Sequence, residues 1–207
     1  MRSARWRVAA TLSLLGLAGC ASLPPPRVGM PGDAGQLLEQ AAREQALGQL
    51  SDWHLEGRLG ITNSADSRGS GSGSLSWTQQ GGHYVFTVDG AFGNSFRLSG
   101  GPDGALLEGL GKQPLRDVDA EALMQRAVGW SVPLVELRAW VLGLRAAGSQ
   151  AQVSYGADRL PAVLQQDGWR VEYRGWDTSR QPALPTFVVA TKPPYAVRLA
   201  IKSWQLK

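Results

Sequence analysis

The sequence predicts a mainly β fold with helices: an incomplete (unclosed) antiparallel β-barrel of about eleven strands, with a helical lid or plug over an apolar cavity. Short segments in which apolar and polar residues alternate recur between residues 52 and 204, with turn residues between them. Residues 117–143 have helical spacing instead. A run of glycines at 69–73 leads directly into a strand pattern, which would leave one face of the sheet short of side-chain volume.

The first segment is typical of a bacterial lipoprotein signal. Three arginines precede a short apolar run over residues 8–17, which is too short to span a bilayer. The run ends in Leu17-Ala18-Gly19-Cys20, which resembles the lipobox, a leucine and two small residues before a cysteine. That resemblance implies a lipoprotein signal peptide over residues 1–19 and lipidation of Cys20. The alternative is an ordinary signal peptide in which Cys20 is incidental.

The charge balance argues against nucleic-acid binding. The 207-residue chain has 21 basic and 17 acidic residues, and three of the basic ones lie within residues 1–19. Removal of that segment leaves 18 basic residues against 17 acidic ones, without the basic footprint that nucleic acid requires. The single cysteine also rules out an internal disulfide. Acyl chains on Cys20 would instead hold the protein to a membrane.

The residues after Cys20 predict where the protein is anchored and how. In lipoproteins of Gram-negative bacteria, an aspartate directly after the lipidated cysteine commonly signals retention in the inner membrane. Ala21 stands there instead, which by that resemblance implies the periplasmic face of the outer membrane. Residues 20–35 are rich in proline, glycine and small residues, and we expect them to form the lipidated cysteine and a flexible tether. Residues 36–207 then form a single domain.

The domain is predicted to start with a helix and to continue as a meander of strands. Residues 36–50 lack proline and have leucine and alanine near helical spacing, which indicates an amphipathic helix. From residue 52 the period becomes two, with Trp53, Leu55 and Leu59 on one face. We expect strands over residues 52–61, 69–77, 83–88, 95–99, 105–110, 113–116, 152–155, 160–166, 169–175, 186–191 and 196–204.

Residues 69–77 alternate glycine and serine before Leu75, Ser76 and Trp77, and allow two interpretations. One is a flexible linker. The other is a strand with the glycines, Leu75 and Trp77 on one face, which we favour because the alternation runs directly into an apolar–polar pattern. If that face points inward, the glycines leave a hollow rather than a solid core.

Two short helices are predicted to cover one side or mouth of the sheet. Asp119 can cap a helix that runs through Arg126, and Gly129 ends it. Pro133 suits the first turn of a second helix that reaches Leu142.

The residues argue against catalysis and against a bound cofactor. His54 and His83 are the only histidines, and Glu56 is two residues beyond His54 without an evident third metal ligand. The chain has no Gly-x-Ser-x-Gly nucleophile motif, no P-loop and no dinucleotide fingerprint. We therefore expect a protein that is not an enzyme and holds no metal.

Taken together, these features resemble the LolB family, and the resemblance extends from the lipobox to the last strand. No single segment decides it, but their order and spacing are specific. The segments that carry it are Leu55-Glu56-Gly57-Arg58, Leu75-Ser76-Trp77, Gly90-Ala91-Phe92-Gly93, Asp119-Ala120-Glu121, Gly129, Pro133-Leu134, Leu137-Arg138-Ala139-Trp140-Val141-Leu142-Gly143, Gly168-Trp169-Arg170-Val171-Glu172-Tyr173, Leu184-Pro185 and Trp204.

The resemblance implies an outer-membrane receptor that accepts acylated lipoproteins from the periplasmic carrier LolA and inserts them into the outer membrane. Its partners would be LolA, the acylated lipoprotein cargo and outer-membrane lipid, and we expect a monomer. The family fold is an incomplete antiparallel β-barrel with a helical lid over an apolar cavity. The alternative function is a lipid-anchored structural protein that binds the cell envelope through surface aromatic residues.

The turn at Ala91-Phe92-Gly93 departs from the family pattern, which often reads Pro-Leu-Gly. In the family, the apolar tip of this turn is thought to help put the cargo into the membrane, so the resemblance gives Phe92 that role. A phenylalanine exposed at a turn would gain about 1.5–3 kcal/mol on entering lipid. The alternative is that Phe92 folds back into the barrel.

Acyl chains would lie in the cavity during transfer. The candidate lining residues are large apolar side chains on the predicted inner faces of the strands and of the second lid helix. They are Trp53, Leu55, Trp77, Tyr84, Phe86, Phe96, Leu98, Trp140 and Leu142.

Overall fold

The computed structural model describes residues 23–91 and 94–207, which form one antiparallel sheet of twelve strands and three α-helices. Cys20 and Phe92 lie outside the described residues. The helices are α1 (Ala34–Gly48), α2 (Ala120–Val128) and α3 (Leu134–Trp140). The strands are β1 (Met30–Pro31), β2 (Asp52–Asn63), β3 (Gly71–Gln80), β4 (His83–Ala91), β5 (Asn94–Gly101), β6 (Gly104–Glu108), β7 (Leu115–Asp117), β8 (Ala151–Tyr155), β9 (Pro161–Gln166), β10 (Trp169–Asp177), β11 (Leu184–Lys192) and β12 (Tyr195–Leu206).

The sheet is open, with the order β1-β8-β9-β10-β11-β12-β2-β3-β4-β5-β6-β7. Its first long strand, β2, pairs with its last, β12, from Tyr195 opposite Asn63 to Leu206 opposite Trp53. The two halves of the chain therefore join in the middle of the sheet, while β1 and β7 are its two ends. This confirms the predicted unclosed, mainly antiparallel β fold with helices.

The inner face of the sheet follows the predicted alternation. Trp53, Leu55 and Leu59 of β2 are buried, whereas Glu56 between them is exposed. The Gly/Ser stretch is a strand from Gly71 onward, so the strand interpretation is confirmed over the linker. Because side chains alternate along a strand, strands β2–β6 and β9–β12 each give buried apolar residues to a single continuous core.

Helix α2, the first of the two lid helices, begins and ends at the residues that its capping chemistry predicts. The Asp119 carboxylate accepts hydrogen bonds from the N–H groups of Glu121 and Ala122, at 2.8 and 3.1 Å. Gly129 ends α2 in the left-handed conformation, with φ of 72°, where glycine has no steric penalty. Pro133 precedes α3, which ends at Trp140 and so is two residues shorter than expected.

The twelfth strand is one that the sequence did not predict. Met30 and Pro31 of the expected tether pair with Tyr155 and Ser154 of β8. A side chain at Gly29 or Gly32 would collide with Ser154 or Tyr155. The glycines that suggested flexibility therefore allow the backbone to lie against the sheet, and this part of residues 20–35 is docked rather than free.

The N-terminal segment is fastened next to β1 as well. The Arg27 guanidinium forms an ion pair with Asp158 and donates a hydrogen bond to the Pro161 carbonyl at 2.7 Å.

The following helix, α1, begins two residues earlier than predicted. Asp33 and Gln36 cap it reciprocally, each side chain bonded to the other's backbone N–H. No helix in residues 23–91 or 94–207 is both long and apolar enough to cross a membrane.

Candidate functional site

A cavity of about 450 Å³ lies where the first turns of α2 and α3 meet strands β3 and β4 and the β5–β6 turn. Its size is within the range of about 300–1,000 Å³ that is typical of small-molecule sites. Its wall combines strand residues below with helix residues above. The lining residues are Trp77, Gln79, Gly82, Tyr84, Phe86, Gly101, Pro102, Gly104, Val118, Asp119, Ala120, Glu121, Leu134, Val135, Glu136 and Arg138.

Aromatic side chains form the floor of this cavity. Trp77 of β3 is directly opposite Phe86 of β4, and their ring centroids are 5.4 Å apart in an edge-on arrangement. Phe86 also contacts Trp130, which follows α2, at 5.7 Å between centroids. On the other side, Trp77 lies 5.1 Å from Trp53. These rings form a rigid apolar surface, because each is held at its edge or face by the next.

The rim of the cavity is apolar and open to solvent. Val118 is 89% exposed and Val135 is 80% exposed, although both are large apolar residues. Val118 directly precedes the cap of α2, and Val135 lies in the first turn of α3. Exposed apolar side chains around the mouth of a cavity are typical of a surface that meets an apolar partner.

Charged groups are placed at the helical side of the cavity. The carboxylates are those of Asp119, Glu121 and Glu136, and Arg138 is the cation among them. Partial burial lowers the pKa of the Arg138 guanidinium. Partial burial and then the negative charge of Asp119 raise the pKa of the Tyr84 phenol. Tyr84 is therefore neutral at physiological pH and adds a polar edge to the apolar floor.

Side-chain hydrogen bonds fasten the lid helices to the rest of the protein. Ser131 donates to Glu121 at 2.8 Å and links the two ends of the α2 region. Trp140, the last residue of α3, donates its indole N–H to Gln166 of β9 at 3.1 Å. Arg43 of α1 donates to the carbonyl of Leu142 at 2.6 Å, just after α3. Helix α3 is thus held by side-chain hydrogen bonds at the end away from the cavity, and α2 is held through Glu121 at the end that borders it.

The predicted lining residues fall into two groups. Trp77, Tyr84 and Phe86 border the cavity. The other six are buried in the apolar core that surrounds it; they are Trp53, Leu55, Phe96, Leu98, Trp140 and Leu142.

The residues of the helical half of the wall were not among the predicted lining residues. Leu134 and Val135 follow Pro133 in the first turn of α3, and Val118 precedes the α2 cap. An apolar pair directly after Pro133, at the start of a helix, was the available signal. It does not say whether such residues fill a core or line an opening.

The hollow also lies at a different end of β3 from the one expected. At Gly69, where the sequence predicted unfilled space, the Gly129 carbonyl and the Asn63 side chain take up the room that a side chain would need. The connection after α2 therefore packs on the glycine end. The cavity lies instead beside Trp77 and Gln79, near the other end of the strand.

His54 has ordinary partners. His54 Nδ1 lies 2.9 Å from the Thr78 hydroxyl, and its Nε2 lies 3.7 Å from a Glu56 oxygen. The described residues hold no group of three or more side chains that could together bind a metal ion.

The family model described as outer membrane lipoprotein LolB matches residues 51–204, which include the whole sheet apart from β1 and the last two residues of β12. The chain belongs to the LolB family. Outer-membrane lipoprotein LolB of Stutzerimonas stutzeri is 34% identical over 200 residues, which cover 96% of this chain and 94% of the relative. LolB of Pseudomonas syringae pv. syringae is 35% identical over 191 residues, covering 91% and 90%.

The family assignment fixes location and general role. This LolB-family chain is an outer-membrane lipoprotein, and its family acts in lipoprotein localisation and is not a known enzyme family. Among solved structures, a LolA superfamily protein from Nitrosomonas europaea is similar, with a TM-score of 0.47 and 8% sequence identity. The match covers 85% of this chain and 94% of that one.

Proposed function

We propose that this LolB-family protein accepts acylated lipoproteins from the periplasmic carrier LolA and inserts them into the outer membrane, with Cys20 as its own lipid anchor. The observation that carries the proposal is the cavity with an aromatic floor and an apolar rim, beside the first turns of two short helices. Such a cavity suits a flexible apolar chain.

The cost of exposing an acyl chain to water requires a protected route. At about 0.8 kcal/mol per methylene, a long chain costs on the order of 10 kcal/mol to expose. The carrier must therefore present its own apolar opening to that of the receptor. Val118 and Val135 at the rim support this arrangement, because they are exposed in the free protein and would be covered by a docked carrier.

Transfer of the acyl chain must lower its free energy. The sequence contains no nucleotide-binding motif, so the acyl chain moves only if this cavity binds it more tightly than the carrier does. The largely apolar lining favours such affinity, because an acyl chain that enters the cavity is removed from water.

The alternative function, binding of the cell envelope through surface aromatic residues, finds little support. Of the seven tryptophans in the described residues, six are buried and Trp176 is partly buried. A sugar-binding surface needs ring faces that a ligand can reach.

A transfer assay with a filled cavity tests the proposal. LolA loaded with fluorescent lipoprotein is mixed with the wild-type protein, with Ala120→Phe and with Ala157→Phe. Ala120 borders the cavity, whereas Ala157 lies in the exposed β8–β9 turn and is a matched control. We expect Ala120→Phe to reduce transfer on the order of tenfold and Ala157→Phe to leave it unchanged. Equal transfer by all three proteins would show that cargo binds elsewhere.

A further inference from the structure

Helix α1 is amphipathic, but its mainly polar side faces the rest of the protein and its apolar side faces solvent. Its inner side buries Gln36, Gln40 and Arg43, together with Leu47. Its outer side carries Leu37, Leu38, Ala41 and Ala42, all exposed; we call these four residues the outer face of α1. Leu37 is 57% and Leu38 is 72% exposed. A helix that packs only on a core shows the opposite pattern.

Hydrogen bonds prevent α1 from rolling over to bury its leucines. Arg43 donates to the Leu142 carbonyl at 2.6 Å, and its guanidinium lies 4.6 Å from the ring centroid of Trp176. Gln40 donates to the Gly143 carbonyl at 3.3 Å. Rotation of the helix would leave these two carbonyls and the buried Arg43 cation without their partners. That loss costs more free energy than the exposure of two leucines. The outward direction of the apolar face is therefore a fixed property of the fold.

The start of α1 lies at the same hairpin turn as the N-terminal segment that follows the proposed lipid anchor. Arg27 contacts Asp158, and Glu39 of α1 contacts Arg159, so the tether and the start of α1 meet at the same hairpin turn. Cys20 is seven residues before Arg27, a distance of at most about 25 Å in a fully extended chain. Leu23, Val28 and Met30, in the same N-terminal segment, are exposed large apolar residues too.

We propose that the outer face of α1 rests on the phospholipid surface of the outer membrane and sets the orientation of the domain; this rests on the proposed anchoring of Cys20. Charge supports an uncharged lipid surface as the occupant. Around the face, Glu39 is paired with Arg159 and Glu44 with Arg145, which leaves no excess of basic charge for anionic headgroups. The contact is apolar and should be insensitive to salt.

This contact has a consequence for the lid. Through Arg43 and Gln40, α1 is bonded to the backbone that directly follows α3. A bilayer that holds α1 therefore also fixes the orientation of the lid and of the cavity mouth relative to the membrane.

A fluorophore on α1 tests the proposal in the acylated protein reconstituted in phosphatidylcholine vesicles. A solvent-sensitive dye is attached to Leu38→Cys, and to Gln205→Cys as a matched exposed control on β12. The protein without an added cysteine controls for labelling of Cys20. We expect nitroxide groups on the lipid tails to quench the Leu38→Cys dye at least twofold more than the Gln205→Cys dye, with no change on addition of salt. Equal quenching overturns the proposal.

A second variant separates contact with lipid from contact with protein. In Leu37→Ser/Leu38→Ser, a dye at Ala42→Cys should lose its excess quenching, while the thermal midpoint stays unchanged because both leucines are exposed. A blue-shifted dye that lipid nitroxides do not quench would mean that a second copy or another protein covers α1, which also overturns the proposal.

Acceptance of cargo from LolA is measured with the same vesicles, so that failure of one proposal can be distinguished from failure of the other. Failure of the wild-type protein to accept cargo contradicts the proposed function. An α1 dye that remains in water while cargo is accepted contradicts only the membrane contact.

Discussion

Gln166 of β9 accepts the indole N–H of Trp140 at 3.1 Å and thereby joins the end of the lid helix α3 to the sheet. The same buried amide accepts from the Ala146 N–H at 2.9 Å and donates to the Ala146 carbonyl at 2.8 Å. One side chain thus satisfies three polar groups, one in the last residue of α3 and two in the segment that follows it. This arrangement fixes the end of α3 that is away from the cavity.

Replacement of this amide should destabilise the protein. In Gln166→Leu, the Trp140 N–H and both Ala146 backbone groups lose their partners inside the core, and we expect the free energy of unfolding to fall by about 3 kcal/mol. Urea denaturation measures it. Gln165→Leu is the control, since Gln165 is the exposed neighbour on the same strand, and should change stability little. Similar losses in both variants would contradict the role of Gln166.

Removal of the α2 cap should loosen the lid next to the cavity. Asp119→Ala leaves the N–H groups of Glu121 and Ala122 without their acceptor, which costs about 1 kcal/mol. We expect hydrogen exchange in the first turn of α2 to be faster in the variant than in the wild-type protein, with a smaller change in α1. Asp103→Ala, in the exposed β5–β6 turn, is the control and should leave exchange in α2 as it is. Unchanged protection in Asp119→Ala would mean that packing alone holds the helix.

The ion pair between Glu44 and Arg145 should make stability depend on pH in the acid range. Partial burial opposes ionisation of Glu44, but hydrogen bonds from Arg145 and Gln40 outweigh it and lower the carboxyl pKa below its ordinary value of 4.5. The unfolded chain then binds more protons near that pH, so the free energy of unfolding rises with pH. The contribution is complete above pH 4.5 and is lost as the pH falls through the lower, folded-state pKa.

A double-mutant cycle isolates this contribution. At pH 7, Glu44→Gln should cost about 1 kcal/mol, a modest value because Arg145 is 46% exposed and solvent screens the pair. The loss should shrink as the pH is lowered below 4.5 and should be absent in an Arg145→Met background. A pH-independent loss would show that packing, and not charge, is responsible.

Much of the fold was predictable because local chemistry determined it. Period-two alternation marked β2 and β3, and Asp119 and Gly129 marked the ends of α2. Strand β1 was missed because its two residues, next to Gly29, are too few to show a periodic pattern of apolar and polar side chains. The close approach of backbone to sheet that creates it is a tertiary property.

The site was predictable only in part for a related reason. Alternation showed that Trp77 and Phe86 face inward, but not which inward residues border empty space, because that depends on where the helices stop short of the sheet. Helix α1 shows the same limit. Its apolar residues were recognised as one pattern, yet the pattern does not say whether Leu37 and Leu38 meet a core or a membrane.

Insertion of Phe92, which lies between β4 and β5 in the sequence, into the membrane stays a prediction from the sequence. Replacement of Phe92 by glutamate should leave acceptance of cargo from LolA intact and block delivery to vesicles, because a charged tip cannot enter the apolar layer that phenylalanine enters with a gain of about 1.5–3 kcal/mol. Acceptance and delivery are measured separately, by cargo bound to the receptor and cargo protected in vesicles. Phe92→Leu, which restores the kind of residue common in the family, should deliver normally. Delivery by Phe92→Glu at the wild-type rate would contradict insertion of this tip.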